Sequence, residues 1–588
     1  MGISIISSGR KVRDFLVYDL EWVPGTYQLR MVGVYDGVSY RCYHSVSDFL
    51  DSEMTSKNRG KWFYAHAGGL ADAQFVFEDI IERPEYRVDA SFSGSSAIIV
   101  HVVRGKNAWH FIDSYWLLRD SLANIGKWIG RQKGSGVEGF ESMSPEQKRD
   151  WYTSAPFEEL RKYNREDCAI LWEAIDSFQT AILGAGGQLQ MTLASTAMHL
   201  FRRKYLSEDI ETSRQVNKRA VLAYVASRVE VLTEECEDAW YFDINSSFPA
   251  AMTQPCPGNL KKWGDKIPDS GIYMADVKIS VPDTYLPPLP YRVEGRIFFP
   301  IGSWRAWLTN IDIELLEREG GKVQRVYEVL EFYPCNDLRD YAIDLYRMRM
   351  SSENDFNRIV YKLALNSLYG KFAESSDKQS LHINPPLEML EGDKRRLWPE
   401  NMMMPGVWIE NRSIYVPHAH VPISAHITAI ARRSLYDYMA QCIPAGIHYC
   451  DTDGFSTNES IIETGKNLGD LKRERKIGRG RYVLPKFYRQ DDKVKAKGFS
   501  LGRSRNYEHI ADAKQRMICE FEELVAGGEL QFERMSRLKE LYRGGHSHPR
   551  EEIIRKAMRR KMVPKRFHYP DGTTRPWSIL ELERMFRK

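Results

Sequence analysis

The sequence predicts a multidomain chain of mixed α/β and α+β architecture, and three observations carry that expectation. Its 588 residues exceed what a single hydrophobic core organises. An apolar run with carboxylates near its end, DFLVYDLEW at 14–22, is followed by further strand-like runs and then by a helical period over 156–182. A second apolar run, AWYFDINSSF from position 239, opens a new unit in which strands, helices and a hairpin pattern are mixed.

Taken in order, strand-like runs near 27–35 and 97–103, and one before Asp113, join the first run in an α/β unit of about residues 1–185. Residues 254–334 combine short strand patterns with many prolines and read as an inserted α+β piece. Helical runs follow at 336–350 and 354–372, with Asp337 and Asn354 placed as N-caps. A loop-rich stretch, 373–420, leads to the helical pattern ITAIARRSLYDYMAQC and a hairpin pattern over 446–458, IHYCDTDGFSTN. Residues 503–588 are basic and read as mostly helical, with a hairpin at Tyr569-Pro-Asp-Gly.

Composition narrows the class. Hydrophobic residues at 43% and charged residues at 28% are ordinary for a soluble globular protein. No stretch approaches the 18 apolar residues of a membrane helix. The N-terminus lacks an apolar h-region with a small-residue cleavage site, and Ile6 stands where myristoylation wants Ser or Thr. The eight cysteines form no C-x-x-C pair, which argues against structural zinc or a disulfide framework and for a reducing compartment. Net charge is only +4, but residues 471–503 hold twelve Lys/Arg against three Asp/Glu and residues 550–588 twelve against five. Such clusters suit a protein that tracks a phosphate backbone, although each alone reads more readily as solvated surface.

The chemistry resides in two constellations. Asp451 and Asp453 in YCDTDG lie two apart at a tight turn, and Asp243 ends the apolar run of YFDINSSF. Together they could hold two divalent cations about 3.5–4 Å apart for in-line phosphoryl displacement. Oxygen-only ligands select Mg²⁺ or Mn²⁺. Lys362, Asn366 and Tyr369 share one face of the helix over 354–372, offering a cation for a triphosphate, an amide and a ring. In the first unit, Asp19 and Glu21 project from one side of a strand, and Tyr163 and Asp167 from one side of a helix. With Asp72 they suffice for two-metal hydrolysis, Tyr163 orienting the attacking water.

In this order DINSSFP, KLALNSLYGKF and YCDTDG resemble motifs A, B and C of family B DNA polymerases. Tyr224-Val-Ala-Ser-Arg is similar to the tyrosine motif that links exonuclease and polymerase domains in that family, and Lys495-Ala-Lys-Gly to its primer-gripping lysine motif. D-x-E at 19–21, a central Asp72 and Y-x-x-x-D at 163–167 resemble the motifs of its proofreading exonucleases. The resemblance implies an RNase H-like 3′-5′ exonuclease domain followed by a right-hand polymerase of palm, fingers and thumb, with two insertions. It implies two ions in each active site. Asp243 and Asp453 would be the principal polymerase metal ligands with Asp451 in support, and Asp19, Glu21 and Asp167 would ligate in the exonuclease. Ser247, Phe248, Lys362, Asn366 and Tyr369 would bind nucleotide, Phe248 in the place of a ribose-excluding tyrosine. Tyr224, Arg228, Thr428, Arg432, Lys495, Lys497 and Ser114 would touch DNA, with Tyr115 and Lys133 near the exonuclease site. Two positions depart from the family: Ala67 or Gly68 stands for a DNA-holding asparagine, and Gly454 for a serine.

The compact length and the 208-residue interval from Asp243 to Asp451 resemble the protein-primed polymerases of small linear phage genomes and linear plasmids. So do Thr428-Ala-Ile-Ala-Arg432 and Trp307-Leu-Thr-Asn-Ile-Asp-Ile-Glu-Leu-Leu. The expected division is exonuclease 1–185, first palm part 186–253, first insertion 254–334, fingers 335–373, second insertion 374–408, second palm part 409–502 and thumb 503–588. In that subgroup the first insertion contacts the priming protein. The second closes a ring that supports processivity and strand displacement, though 374–408 reads equally as a mobile loop. The implied partners are a DNA primer-template, dNTPs and a separate terminal protein. The implied protein is a monomer without membrane attachment, cytoplasmic in a bacterial host or virus-infected cell, with a mitochondrial plasmid as the other source. A DNA-primed repair polymerase, an exonuclease with a decayed polymerase half and a non-catalytic DNA clamp are the competing readings.

Overall fold

The structure is a computed structural model that describes residues 2–94, 96–134, 137, 139, 140, 143, 145–459, 462–558 and 563–586. The apolar run at the N-terminus is strand Phe15–Trp22, buried over almost its whole length, as befits a strand covered on both faces. It pairs in parallel with Trp62–Ala65, which pairs in parallel with Asn107–Asp113. Antiparallel strands extend this centre into a ten-stranded sheet. Period-two alternation then sorts the side chains. Phe15 and Val17 point to helix Phe157–Ala185, packing with Cys168, Leu171, Ile175 and Phe178. Leu16 and Tyr18 point the other way, to Phe49 and Leu50 of helix Val46–Glu53 and to Phe77 and Ile80 of helix Asp72–Ile81. Asp19 and Glu21 therefore share the face that meets the long helix.

The expected loop-rich stretch 373–420 is instead structured and belongs to this sheet. Strands Asp377–Ile383 and Val407–Ser413 form an antiparallel pair, Met402–Met404 adds an outer strand, and Ser380–Ile383 pairs with Val88–Ser91 of the N-terminal sheet. The reason is an apolar face that the local pattern does not advertise. Leu381, Ile383, Val407 and Ile409 are buried in the cluster that also contains Phe77, Tyr86 and Val88. Asn384 fastens the turn, its amide donating to the carbonyls of Ile80, Arg83 and Tyr86. The mobile-loop reading of 374–408 is thereby set aside.

A second sheet carries the other carboxylates. Its seven strands run in the order Val229–Val231, Ile447–Asp451, Gly454–Thr457, Glu235–Ile244, Leu471–Leu484, Phe487–Gln490 and Lys493–Ala496. Residues 256–335 form the anticipated α+β piece, a four-stranded sheet with helix Asn310–Arg318 whose Thr309 and Asp312 make a reciprocal capping box. Helices Asp337–Ser351, Asp355–Lys371 and Val421–Gln441 bury Leu338, Tyr341, Val360, Leu368 and Ile423 in the same apolar cluster as helix Phe157–Ala185.

Asn354 caps its helix as expected, accepting from the Phe356 and Asn357 amides. Asp337 does not: Asn336 holds the cap position, and the Asp337 carboxylate receives the amide and hydroxyl of Ser207. Residues 503–588 are not mostly helical. Helices Ala513–Ala526, Leu538–Arg543 and Ile579–Phe586 alternate with the strand pair Glu529–Met535/Glu551–Ala557 and the expected small hairpin, Phe567–His568 with Thr574–Arg575. The stretch 551–557 alternates half-buried and exposed positions, a period-two pattern that its many charges obscure. Residues 559–562 of the C-terminal basic cluster lie outside the described residues, as do 587 and 588.

If the 377–413 hairpin is held by its apolar face, Leu381→Ala removes a fully buried side chain at a cost of about 2–5 kcal/mol. Hydrogen exchange should then show faster exchange across 377–383 and 407–413 while strand Phe15–Trp22 stays protected. Unchanged protection of the hairpin would refute that account of its attachment.

Two candidate active sites built from buried carboxylates

The first site grows from the hairpin of the seven-stranded sheet. Strand Ile447–Asp451 reverses into Gly454–Thr457 through Thr452 and Asp453. Thr452 has φ +69°, a conformation a β-branched residue holds only where its surroundings impose it. Those surroundings are explicit. The Thr452 amide donates to the Arg228 carbonyl and the Asp453 amide to the Asp451 carbonyl, both at 2.8 Å, and the Ser227 hydroxyl donates to the Thr452 carbonyl. The Ile244 amide donates to the Asp453 carbonyl at 2.9 Å, bringing the end of the central strand alongside. Asp243 and Asp451 both lie opposite Gly454 in register. A Cβ on Gly454 would sit 2.5 Å from the Tyr241 hydroxyl and 2.9 Å from the Phe242 carbonyl, so the local packing demands glycine in place of the family's serine.

The three aspartates are electrostatically unequal. Burial, then the charge of Asp453, pushes the Asp243 carboxyl up to about 7. Burial, then Asp451, pushes Asp453 up to about 6. Burial also opposes the charge on Asp451, but hydrogen bonds from Lys486 and Lys495 outweigh it and hold that carboxyl below its usual range. The ammonium groups stand 2.8 and 3.0 Å from its two oxygens. Asp451, expected as a ligand, is thus engaged at both oxygens by lysines, and Asp243 and Asp453 are left as the pair whose mutual repulsion a cation would relieve.

Beside this pair, the rings of Phe248 and Tyr369 stack at 4.4 Å and 14°. This contact joins the element after Asp243 to helix Asp355–Lys371. Lys362 is exposed on the same helix, and the Asn366 amide donates to the Lys362 carbonyl at 2.8 Å. Ser247 is buried and its hydroxyl oxygen has no hydrogen-bond partner, a polar atom left for a ligand.

The second site lies where strand Phe15–Trp22 meets helix Phe157–Ala185. Carboxylate oxygens of Asp19, Glu21 and Asp167 lie within 4.8 Å of one another. Burial, then Asp167, pushes Asp19 up to about 7, and burial followed by Asp19 raises Glu21. Burial raises Asp167 although the Lys133 ammonium, paired with it, works the other way. One Asp167 oxygen has no hydrogen-bond partner. Two buried carboxylates and a half-buried one, with an orphaned oxygen among them, fit a hard divalent cation. Asp72 stands one step back: it accepts the Leu20 amide at 3.2 Å, and burial, then Asp19, raises its carboxyl. Tyr163 accepts from Tyr152 at 3.3 Å and is wedged against Phe140 and Trp151.

Sequence reasoning missed Asn164. Its amide donates to the Asp19 carboxylate at 3.0 Å, the Asp19 carbonyl at 3.1 Å and Glu21 at 3.2 Å, while its oxygen accepts from Tyr40 at 2.9 Å. Gly33, opposite Asp19 in register, makes this possible, because a Cβ there would overlap the Asn164 oxygen at 1.6 Å. Lys486 was missed too. Its only sequence signal is its place between two strands of a basic hairpin, where it adopts φ +63°.

Four expected DNA contacts are corrected by burial. Arg228 is 3% exposed, paired with Glu230 at 2.8 Å and stacked over Phe299 at 4.1 Å. Arg432 is paired with Asp312 at 2.8 Å and also donates to the Val225 carbonyl. Thr428 donates to the Ala425 carbonyl within its own helix. Ser114 is fully buried, 3.0 Å from His66 Nδ1. Each is buried and engaged within the protein. Lys497 is exposed and Tyr224 half-buried, and Tyr115 is 40% exposed near Asp113. Ala67, in one of the two positions considered for the missing asparagine, has φ +57°, a left-handed conformation that asparagine adopts more readily than alanine.

Residues 144–409 match the family DNA polymerase type B, organellar and viral. The protein named "Probable DNA polymerase" of Ascobolus immersus is 24% identical over 503 residues, which is 74% of this chain and 41% of that protein. The DNA polymerase of Bacillus phage phi29 is 26% identical over 282 residues, 44% of this chain and 46% of the phage protein. The structure of phi29 DNA polymerase with primer-template DNA and incoming nucleotide substrates superposes with a TM-score of 0.70 at 18% identity, over 93% of this chain and 100% of that one. Over part of its length this chain is similar to organellar and viral family B DNA polymerases. It spans less than half the length of the curated relatives it matches. The structural likeness shows that it shares the fold of phi29 DNA polymerase. Among the described residues no helix is long and apolar enough to cross a membrane.

Two predictions rest on the geometry of these two sites. Asp19, Asp243 and Asp453 hold protons more tightly folded, at about 7, 7 and 6, than the ordinary 3.8. Between those limits the folded chain binds more protons than the unfolded one, so these groups lower stability as pH rises from about 4 to 7. Mg²⁺ should therefore raise the melting temperature more at pH 8 than at pH 5.5, and an equal or reversed increment would contradict the assignment. Asn164→Ala should weaken Mn²⁺ binding at Asp19, Glu21 and Asp167 by about tenfold or more, read by electron paramagnetic resonance titration. Unaltered affinity would reduce Asn164 to a packing residue.

Proposed function

We propose that this chain is a template-directed DNA polymerase with a 3′→5′ proofreading exonuclease, using two metal ions at each site. The observation that carries the polymerase half is the turn that sets Asp243 beside Asp453 next to the Phe248–Tyr369 stack. Bound divalent cations would activate the attacking oxygen and neutralise phosphate charge; the protein's part is to position and discriminate. Asp243 and Asp453 would hold the ions. Lys362 would meet the triphosphate, and Asn366 with the Ser247 hydroxyl would orient the nucleotide. The Phe248 ring, fixed against Tyr369, would exclude a 2′-hydroxyl. In phi29 DNA polymerase, the structural relative, the fold is found with primer-template DNA and nucleotide, and the same ligands are proposed here. Lys495 and Lys497 would follow the primer, Lys495 exchanging its Asp451 partner for a phosphate.

The exonuclease half rests on Asp19, Glu21 and Asp167, whose charges Asn164 and Lys133 hold in place. Tyr163 would orient the attacking water, and exposed Tyr115 offers a ring for a frayed base. Intact carboxylates at both sites favour a working bifunctional enzyme over a nuclease with a decayed polymerase or a passive clamp.

Protein-primed, strand-displacing replication is the finer reading, with residues 254–334 as the surface for a separate terminal protein. Its support is the kinship with phage and fungal proteins and the continuity of three segments. The hairpin 377–413 is zipped to the N-terminal sheet. Leu538 and Tyr542 share its apolar cluster, and Lys539 donates to the Gly94 carbonyl at 2.9 Å and also to Gln379. Such a closed arc would force a duplex apart at a narrow entrance.

The test is a labelled primer-template with Mg²⁺, with and without dNTPs, and with a downstream blocking strand. Asp453→Ala should abolish extension and leave shortening. Asp19→Ala with Glu21→Ala should abolish shortening and leave extension. Passage through the blocking strand supports the arc. Loss of both activities in either variant would break the division into two sites.

A further inference from the structure

We propose that His101, His110 and Asp89 form a binding site for a Zn²⁺-class transition-metal ion, distinct from the two carboxylate sites. In the ten-stranded sheet, Asp89 lies opposite His101 and His101 opposite His110. The three belong to neighbouring strands and form one row across the sheet. Their chain neighbours fix the face. Val88, Ala90, Val100, Val102, Trp109 and Phe111 are all buried in the cluster on the opposite side, so period two turns Asp89, His101 and His110 to the other face. That is the face of Asp19 and Glu21, but the row lies at the other end of the strands. His110 pairs through Trp62 to Phe15, four residues before Asp19, roughly 13 Å along the strand at its usual rise.

Two imidazoles of this row already meet nitrogen to nitrogen. His101 Nδ1 and His110 Nδ1 face each other at 2.6 Å, with the rings 4.7 Å apart and perpendicular, at 89°. Two imidazole nitrogens on one tetrahedral zinc, each about 2.0–2.1 Å from it, stand about 3.3 Å apart, so the pair need open by less than an ångström. The Asp89 side chain, 47% exposed, flanks His101 and can swing to a third position, leaving a fourth for water. Two imidazoles and one carboxylate suit Zn²⁺ over Mg²⁺, which takes oxygen ligands.

Asp89 is also steered from beyond. His382 continues the row on the hairpin, its Nδ1 3.9 Å from the Asp89 carboxylate and its Nε2 3.0 Å from buried Glu410. His382 thus closes the row on the hairpin side of Asp89. An ion here would tie together the strands 87–93, 96–104 and 107–113, next to the seam where hairpin 377–413 joins the sheet. Its role is structural.

The experiment uses the full chain carrying Asp19→Ala and Glu21→Ala, which removes the competing carboxylate pair, titrated with Zn²⁺ against a chromophoric chelator. One Zn²⁺ should bind with a dissociation constant below about 1 µM, and X-ray absorption should report two imidazole nitrogens at about 2.0 Å. His101→Gln and His110→Gln should each weaken binding by at least about tenfold, and half-exposed Asp89→Asn, which leaves the core untouched, should do so as well. Zn²⁺ should raise the melting temperature of the parent but not of these variants. Binding weaker than about 10 µM in the parent, or binding unchanged by His101→Gln and Asp89→Asn, would leave a hydrogen bond between two histidines and overturn the proposal.

Discussion

Both sites depend on one constraint: like charges must be buried close together and kept from escaping. A carboxylate removed from water favours neutrality, and a second carboxylate nearby deepens that preference. The raised carboxyls of Asp19, Asp243 and Asp453 record this cost directly. Nothing in the aspartates themselves holds them together, so the restraint is supplied by backbone and by neutral or cationic neighbours. In the first site the strained turn at Thr452 is clamped by the Arg228 carbonyl and the Ser227 hydroxyl. In the second, the Asn164 amide spans two carboxylates from a helix kept close by Gly33. The stored repulsion is what makes each site receptive to a cation.

This restraint explains why the two sites are not built alike. In the polymerase-like site, Lys486 and Lys495 neutralise one member, Asp451, and leave two. In the exonuclease-like site, the one cation Lys133 pairs with Asp167 and also acts on Asp19 and Glu21, and three carboxylates still face one another. Cationic neighbours thus set how much negative charge each site retains. The arrangement also couples the halves of the chain. The apolar cluster under helix Phe157–Ala185 runs without a break into the helices of 337–371 and 421–441, so Asp167 and Lys362 stand on elements that share one core.

What the sequence disclosed and what it hid divide along a physical line. Strands ending in paired carboxylates, and the shared face of Lys362, Asn366 and Tyr369, are local patterns, legible because period two and period 3.6 fix direction. The hairpin 377–413 was illegible because its partner strand lies nearly 300 residues earlier, and no local rule predicts which edge an alternating segment will find. Arg228, Arg432, Thr428 and Ser114 were misplaced because residue type does not reveal burial. An arginine paired with Glu230 or Asp312 inside the protein looks, in one dimension, like an arginine waiting for phosphate. Asn164 was overlooked because it lies between Tyr163 and Asp167, whose four-residue spacing drew the eye, and because its role requires a glycine on a distant strand.

The misplaced residues are informative in their own right. The segment from Tyr224 to Arg228, expected at DNA, acts through its backbone on the turn that carries Asp453. Removing the Arg228 side chain would not remove that carbonyl, but it would leave Glu230 buried without its nearest cation. An uncompensated buried charge costs more than the pair it came from. Arg566, itself fully buried and 3.9 Å from Glu230, stands behind it as a second cation. The positive charge around Glu230 therefore supports the turn that carries Asp453 from below. A family motif can be retained for what its main chain does, and its charged side chain can then serve the fold rather than the ligand.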